Sequence, residues 1–304
     1  MFDYIRKITV VVEKLQWNVS DSLPTPEHGA ALIISSFPFL CDLKLSSATA
    51  YNPHSRARPW NFDPIAQTIH AAPRLRSLNL GNDFGEAVDF SVSLVETCGQ
   101  DIETLFMCIR RQRDATFFCH LLNGARQTLK KLTIIWGLPP RFEEQTTISR
   151  DIVSPILQSG SYEKLTRFRL TCPSTSTTID EFLSKNPQIT DLGCDLYRAP
   201  EVTFLVSLRA LSLDGVEFGA TLSLIQSLPN PAMLHTLKIS IGAFTLPDDW
   251  DAATFSTLTG LKHLWIKSPP RHKNPGRRSS NLKSTDQSTL PVRLIALSMI
   301  PTLP

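Results

Sequence analysis

The sequence lacks long apolar runs, a strong excess of one charge and a leader-like start. None of its apolar stretches approaches the roughly 20 residues that a membrane-spanning helix needs. Charged residues, among them Asp3, Arg6 and Lys7, lie among the apolar residues at the start of the sequence, which is not typical of a signal peptide. The 304 residues carry 31 basic and 28 acidic side chains, a formal net charge of only +3. We therefore expect an intracellular protein, cytoplasmic or nuclear, with no membrane or nucleic-acid partner.

The short motifs of common enzyme and metal sites are also missing. The sequence has no glycine-rich phosphate loop, no GxGxxG, no nucleophile elbow and no HExxH. Its six cysteines form no CxxC pair and no metal-ligand spacing with the seven histidines, so we interpret them as reduced, mostly buried thiols. We therefore expect no catalytic residue, no metal site, no cofactor and no enzymatic activity.

What the sequence does contain is a repeat: an apolar residue, two residues of any kind, an apolar residue, one of any kind, and an apolar residue. The first apolar residue of each copy is called its anchor. Nine clear copies have the anchors Leu40, Leu75, Ile102, Leu129, Leu165, Ile189, Leu208, Leu234 and Leu261. Weaker copies begin at Ile5 and Leu294, which gives a mean spacing of about 29 residues. Self-similarity at such a period is typical of solenoid proteins.

The segments between the copies predict helices that end in a helix-breaking residue. Apolar residues three and four positions apart predict amphipathic helices within residues 62–71, 89–98, 115–122, 148–157, 179–183 and 222–228. Proline or glycine often follows, as at Pro73, Gly99 and Pro187, just before the next strand. Residues 46–61 and 137–147 are rich in loop-forming residues and predict longer excursions.

A unit of helix, break and short strand cannot bury its own apolar face, so neighbouring units must stack. The predicted fold class is α/β: a single solenoid over residues 1–304 with about ten to eleven irregular repeats. Its parallel strands line the concave face and its helices the convex face. Because strand side chains alternate, residues three and five positions after an anchor face the core, and residues two and four positions after it face solvent.

A basic segment, residues 267–288, interrupts this pattern. It carries six lysines and arginines between positions 267 and 283 and no acidic residue, together with several prolines and serines. We interpret it as a disordered, solvated insertion. The alternative is a localisation or phosphorylation signal around Arg277-Arg278-Ser279-Ser280.

On these repeats the chain resembles the leucine-rich-repeat superfamily, in its longer, ribonuclease-inhibitor-like class. Residues 37–45 and 72–80 look like the irregular repeats of fungal F-box proteins. Two features depart from that pattern. No F-box helical module is visible before the first strand, and Asp83, Pro173 and Val216 stand where an asparagine or cysteine usually follows the strand. The resemblance implies a fold, and it does not by itself imply an activity.

The solvent-facing strand positions supply candidate partner-binding residues. Lys131, Arg167 and Arg169 lie in adjoining repeats and suit a carboxylate or phosphate group on a partner. Phe106 and Trp265 are aromatic residues at solvent-facing positions, which is typical of interface anchors. Two further positions on the same face complete the candidate set: Lys238 and His263. The ordinary alternative is that the basic residues are merely solvated and that loops cover the aromatic rings.

These observations predict a non-catalytic module that binds a protein on its concave face. The resemblance implies the substrate-binding part of an F-box-type ubiquitin ligase receptor, with Skp and cullin components as partners if an F-box lies upstream. The alternative is a stand-alone leucine-rich-repeat scaffold without a ligase. A GTPase-activating repeat protein would need a loop arginine that completes a partner's active site, and no loop here singles one out.

Overall fold

The computed structural model of the chain describes residues 5–12, 25–47, 60–81, 88–109, 112–136, 153–158, 160–171, 176–195, 200–216, 218–241 and 253–267. Several predicted features lie wholly or partly outside these residues. They are residues 48–59 of the first predicted loop, Asp83, the loop at residues 137–147, residues 148–152 of the helix predicted over 148–157, Pro173, the basic segment after its first residue, and the weak repeat copy that begins at Leu294.

Ten strands form one parallel sheet, and they follow one another in chain order. They are β1 (Lys7–Val12), β2 (Asp42–Ser47), β4 (Ser77–Leu80), β6 (Thr104–Ile109), β7 (Lys131–Trp136), β8 (Arg167–Thr171), β9 (Asp191–Asp195), β10 (Ala210–Val216), β11 (Thr236–Ile241) and β12 (His263–Lys267). Two short strands, β3 (Trp60–Asn61) and β5 (Val88–Asp89), pair separately. Each repeat copy within the described residues supplies one strand of the large sheet, which confirms the predicted repeat.

Helices lie between most of the successive strands. They are α1 (Pro26–Ser35), α2 (Asp63–Ala71), α3 (Val92–Gly99), α4 (Gln112–Ala125), α5 (Ser154–Gln158), α6 (Ser176–Lys185), α7 (Phe218–Gln226) and α8 (Ala253–Ser256). Helices α1 to α6 pack side by side, and α7 packs on α8. The described residues between β9 and β10 contain no helix, and Val202, Leu205 and Leu208 fill the core there. This arrangement confirms the predicted α/β solenoid.

Several predicted boundaries are wrong. The helix expected from residue 89 begins at Val92, because Val88 and Asp89 pair with Trp60 and Asn61. The loop expected over residues 46–61 loses residues at both ends, since β2 runs through Ser47 and β3 takes Trp60–Asn61. The basic segment was expected from residue 267, but Lys267 is the last residue of β12.

Helix α1 was not predicted. Its start carries a recognisable signal, Pro26 in the first turn, where the missing N–H costs no hydrogen bond. The apolar residues that follow do not form one stripe, because Ala30 and Ile34 are buried while Leu32 and Ile33 are exposed. The usual three- and four-residue spacing is therefore obscured in the sequence.

The alternation of strand side chains builds the core as predicted. From β2 to β11 the side chains three and five positions after each anchor are at most 3% exposed. They are Leu43, Leu45, Leu78, Leu80, Leu105, Met107, Leu132, Ile134, Phe168, Leu170, Leu192, Cys194, Leu211, Leu213, Leu237 and Ile239. Burial of one such large aliphatic or aromatic side chain contributes roughly 1.5–3 kcal/mol. The stacked repeats therefore share one continuous core.

One backbone carbonyl at the start of each strand fixes the position of the next strand. The carbonyl of the residue after each anchor accepts hydrogen bonds from two consecutive N–H groups of the following repeat. The Cys41 carbonyl, for example, accepts from Arg76 N and Ser77 N, each at 3.0 Å. The same pair of hydrogen bonds to one carbonyl recurs between all neighbouring described repeats, from the Arg6 carbonyl to the His235 carbonyl. Equivalent positions of neighbouring repeats therefore stand side by side across the sheet.

Polar side chains before the strands link neighbouring repeats a second time. The Asn186 Oδ1 accepts a hydrogen bond from Tyr162 N of the preceding repeat at 2.7 Å, while its Nδ2 donates to the Phe182 carbonyl within its own repeat. The Asn230 Nδ2 donates to the Val206 carbonyl at 2.8 Å. These contacts lie on the entry side of the strands, whereas the asparagine ladder of regular leucine-rich repeats follows the strands.

Two glycines allow α3 and α4 to approach closely. A Cβ atom added at Gly99 would lie 2.5 Å from the Leu121 carbonyl oxygen, and one at Gly124 would lie 1.9 Å from the Glu96 carbonyl oxygen. Both distances are far below van der Waals contact. The spacing of these two helices therefore depends on the absence of side chains at both positions.

We predict that Gly124→Ala destabilises the protein by about 1–3 kcal/mol, because the new methyl group forces α3 and α4 apart. Gly29→Ala in α1 is the matched control, since a Cβ there meets nothing within 4 Å. It should stabilise α1 by about 0.5–1 kcal/mol through helix propensity. Urea unfolding midpoints of both variants and the parent measure the difference, and equal midpoints would contradict the close approach.

A second contact between α3 and α4 depends on pH. Glu96 Oε1 lies 3.0 Å from His120 Nδ1 and accepts a hydrogen bond from Asn123 Nδ2 at 3.1 Å. The hydrogen bond from His120, and then that from Asn123, hold the pKa of Glu96 below its ordinary value. A carboxyl with a lowered folded-state pKa stabilises the fold above its unfolded pKa, and this contribution is lost as pH falls through the folded value.

We expect Glu96→Gln to reduce the acid sensitivity of the protein. Between about pH 5.5 and about pH 3.5 the parent should lose more of its urea midpoint than the variant, because only the parent has this carboxylate to protonate. Glu163→Gln, at an exposed turn position, removes one carboxyl elsewhere and serves as the control. The same loss in the parent and in Glu96→Gln would show that this contact does not contribute.

Candidate functional site

The face of the sheet that points away from the helices is called the open face, and two rows of side chains cross it. The first row, two positions after each anchor, runs Lys7, Asp42, Ser77, Thr104, Lys131, Arg167, Asp191, Ala210, Thr236 and His263. The second row, two positions further, runs Thr9, Lys44, Asn79, Phe106, Thr133, Arg169, Gly193, Ser212, Lys238 and Trp265. All seven candidate residues lie in these rows.

Four candidates form what we call the central cluster: Phe106, Lys131, Arg167 and Arg169. Lys131 on β7 stands opposite Arg167 on β8. Phe106 on β6 is separated from Arg169 in the second row only by Thr133. The three basic side chains are exposed and Phe106 is half-buried. Because neighbouring strands are about 4.8 Å apart, one partner group could contact several members of this cluster.

Arg167 differs from the other two cations of the cluster because it has an acidic neighbour. Its Nε lies 2.6 Å from Asp191 Oδ2 on β9, and the Asp191 side chain is only 16% exposed. Among the side chains that the structure describes, no carboxylate forms an ion pair with Lys131 or Arg169. Of the three cations of the central cluster, Lys131 and Arg169 are therefore the two without an ion pair to a described carboxylate.

Gly193 shapes the position of Arg169. A Cβ atom at Gly193 would lie 3.0 Å from Arg169 Cγ and 3.5 Å from its Cδ. The aliphatic part of Arg169 therefore lies across β9, in the space that a side chain at Gly193 would occupy. Small residues follow on the next strand, with Ala210 in the first row and Ser212 in the second. The side chains at Gly193, Ala210 and Ser212 therefore project little from the open face.

The other three candidates form what we call the edge cluster: Lys238, His263 and Trp265. The Lys238 Nζ lies 5.6 Å from the centroid of the Trp265 ring, within the range of a cation–π interaction. Trp265 is nevertheless 64% exposed. Three strand spacings, about 14 Å, separate β8 from β11. The candidate residues therefore form two clusters on one face, and they do not converge on a single pocket.

One ion pair and one buried polar atom on the open face were missed in the sequence. The Arg167–Asp191 ion pair had a usable signal, because both residues stand two positions after the anchors of consecutive repeats. The burial of the Asn79 Oδ1 atom had no such signal. Its Oδ1 is buried and has no hydrogen-bond partner among the described residues, between Lys44 and Phe106 in the second row.

Groups with catalytic or ligand-binding chemistry are sparse in the described stretches. They contain no cluster of three histidine, cysteine, aspartate or glutamate residues that could hold a metal ion. Cys41, Cys98 and Cys119 are free thiols, and burial raises the pKa of Cys98 to about 12. A cleft between α1 and α2, lined by His28, Leu32, Asp63 and their neighbours, lies on the helix side. Within the described residues, each helix is too short or too polar to cross a bilayer.

The Arg167–Asp191 pair can be tested by a double-mutant cycle. Arg167→Ala, Asp191→Ala and the double variant should give a coupling energy of about 0.5–1 kcal/mol that falls as salt is added. The exposed pair Glu181–Lys185, one helical turn apart on α6, is the reference and should give about 0.3–0.5 kcal/mol. A coupling energy of zero would mean that Arg167 is as available to a partner as Arg169.

Comparison with known proteins finds remote structural similarity. No protein-family model matches the chain, and no curated protein matches its sequence. Among solved structures, an internalin (inlF) of Listeria monocytogenes is 11% identical with a TM-score of 0.41, over 76% of this chain and 55% of its own. An internalin C2 (inlC2) of the same organism is 12% identical with a TM-score of 0.33, over 77% of this chain and 74% of its own.

This chain thus spans about half of the first of these structures. Because both TM-scores are below 0.5, the fold assignment depends on this chain's own features: its repeat, its strand order and its strand register. Ten parallel strands in chain order, one from each described copy of the repeat, with buried side chains at the same positions of each copy, identify the chain as a leucine-rich-repeat solenoid.

Proposed function

We propose that the chain is a non-catalytic recognition module that binds an acidic segment of a partner protein on its open face. The observation that carries this proposal is an excess of positive charge. Of the cations in the two rows, Lys7 and Arg167 have acidic neighbours, Asp42 at 3.2 Å and Asp191 at 2.6 Å. The remaining cations have no ion pair with a described carboxylate: Lys44, Lys131, Arg169 and Lys238.

Charge complementarity favours carboxylates or phosphates on the partner. Separated surface cations raise the association rate and select the partner's charge, although each contributes little affinity on its own. The largest effect is expected at Arg169, because a guanidinium can form two parallel hydrogen bonds to a carboxylate. The position of its side chain across Gly193 reduces the number of rotamers that binding must restrict.

Aromatic side chains supply the apolar part of the proposed interface. Trp265 exposes 64% of its surface beside Lys238, and Phe106 lies half-buried in the central cluster. Tryptophan is enriched among the residues that dominate binding energy, and burial of a large ring on association is strongly favourable. A partner that spans from Phe106 to Trp265 would cross six strand spacings, about 29 Å.

The resemblance to fungal F-box proteins supports a more specific proposal. In it, the solenoid is the substrate-binding part of a ubiquitin ligase receptor, located in the cytoplasm or nucleus, and its partner is the protein to be ubiquitinated. The alternative is a scaffold of the same fold that has no ligase. Skp and cullin components distinguish the two, because only the first requires them.

The test compares three forms of the chain as baits for affinity purification from the source cells with quantitative mass spectrometry. The open-face variant carries Lys131→Glu and Arg169→Glu. The control variant carries Lys164→Glu and Arg209→Glu, two exposed cations outside the rows. Both variants have the same net charge, so an effect of overall charge on binding appears equally in each.

We predict that at least one protein bound by the parent and by the control is depleted about tenfold or more with the open-face variant, about 1.4 kcal/mol in binding. The purified partner should then bind the parent more weakly as salt is raised. Equal depletion by both variants would contradict the choice of surface. Skp and cullin subunits in the parent eluate would favour the ligase receptor, and their absence alongside a specific partner would favour the scaffold.

A further inference from the structure

Two arginines of the central cluster lie over the same neighbouring strand. The Arg167 Nε is 2.6 Å from Asp191 Oδ2 on β9. Two residues further along both strands, a Cβ atom at Gly193 would lie 3.0 Å from Arg169 Cγ and 3.6 Å from Arg169 Nε. Both arginine side chains therefore leave β8 in the same direction, and their Nε atoms are held above β9.

The spacing of these two side chains follows from the strand beneath them. Asp191 and Gly193 lie on the same face of β9 and are two residues apart, which is about 7 Å in an extended chain. The ion pair to Asp191 engages the Nε of Arg167, and a guanidinium carries four further N–H donors. Two guanidinium groups at this separation can donate hydrogen bonds of about 2.8 Å to different oxygens of one anion.

The positive charge around these arginines exceeds what one carboxylate would balance. Lys131, Arg167 and Arg169 carry three positive charges, and Asp191 is the one described carboxylate that forms an ion pair with any of them. Two positive charges are left unbalanced. A phosphomonoester carries a charge of about −1.5 to −2 at neutral pH and three strong acceptor oxygens. It therefore matches this group of cations better than a carboxylate with its single charge.

The strand beyond β9 leaves room for such a group. Ala210 and Ser212 of β10 stand opposite Asp191 and Gly193, and both side chains are small. The hydroxyl of Ser212, which is half-buried, can donate a further hydrogen bond to an anion. The low surface formed by these residues is open to the solvent side of the sheet, so an extended segment of a partner can lie across it.

We infer that Arg167, Arg169 and Ser212 bind the phosphate of a phosphorylated side chain in the partner segment. Asp191 and Gly193 are positioning residues in this arrangement, because the first holds Arg167 through its Nε and the second lets the stem of Arg169 lie across β9. The inference rests on the proposed function and deepens it, since it names the chemical group that the open face selects. It makes binding of the partner conditional on phosphorylation.

The test compares the affinities of two short capped alanine peptides for the full chain by NMR, at constant ionic strength and neutral pH. One peptide carries phosphoserine at its centre, and the other carries two adjacent glutamates, so that their charges are nearly equal. The Nε–Hε signal of Arg167 reports binding at the site. The variants are Arg169→Gln, which removes a charge, and Gly193→Ala, which keeps every charge but places a methyl group against Arg169 Cγ. Arg209→Gln, at an exposed arginine outside the rows, is the matched control.

We expect the phosphopeptide to bind the parent at least about tenfold more tightly than the diglutamate peptide, because only the phosphate offers three acceptors on one atom. Arg169→Gln and Gly193→Ala should each weaken phosphopeptide binding by about fivefold or more, and Arg209→Gln by less than about twofold. Equal affinities for the two peptides would overturn the inference. So would a loss in Arg209→Gln as large as that in Arg169→Gln.

A second measurement uses the partner protein and separates this inference from the proposed function. Phosphatase treatment of the cell lysate before purification should deplete the partner from the parent eluate by about tenfold or more. A partner that survives phosphatase treatment but is lost with the Lys131→Glu and Arg169→Glu variant would overturn this inference and leave the proposed function standing. The peptide experiment needs no partner, so its result does not depend on whether the proposed function holds.

Discussion

The whole architecture depends on one backbone constraint, the carbonyl at the start of each strand that accepts two N–H groups from the next repeat. This constraint involves no side chain, so it tolerates repeats whose sequences have diverged, such as the one that places Cys194 at a leucine position. Because each strand starts at the same place relative to its neighbour, the side chains that follow fall into rows, and the register shifts only later, between Asp214 and Val216 of β10. The alignment of the rows is therefore a property of the main chain, and the chemistry of the rows is free to vary.

That freedom explains how one face can be partly neutralised and partly charged. In the first row, Asp42 and Asp191 stand beside cations and satisfy them within the sheet. In the second row, Gly193 takes the place where another side chain could have met Arg169. An acid at that place would have turned the Arg169 charge inwards. The absence of a side chain at Gly193 leaves the Arg169 guanidinium without an ion pair among the described residues, as the proposed binding of an acidic partner requires.

The sequence was sufficient for the strands and for the direction of their side chains, because both follow from a period that recurs many times. It was insufficient where the position of an element depends on a single tertiary contact. The start of α3 depends on the pairing of Val88 and Asp89 with β3, which no local sequence pattern predicts. Helix α1 exposes Leu32 and Ile33, so its apolar residues do not form a stripe. For the candidate site, the residues of the face could be named, but their division into two clusters and the neutralisation of Arg167 required the register of the strands.

The absence of a helix among the described residues between β9 and β10 bears on how the repeats on its two sides are coupled. In a solenoid each repeat contacts only its neighbours, and cooperativity is passed from one to the next. Along α1 to α6 it passes through both the sheet and the helix layer. Between β9 and β10 the described residues contain no helix, and the sheet together with the buried side chains of Val202, Leu205 and Leu208 connects the two sides. Coupling across this stretch of the open face therefore depends strongly on strand pairing, because no described helix lies between the two strands.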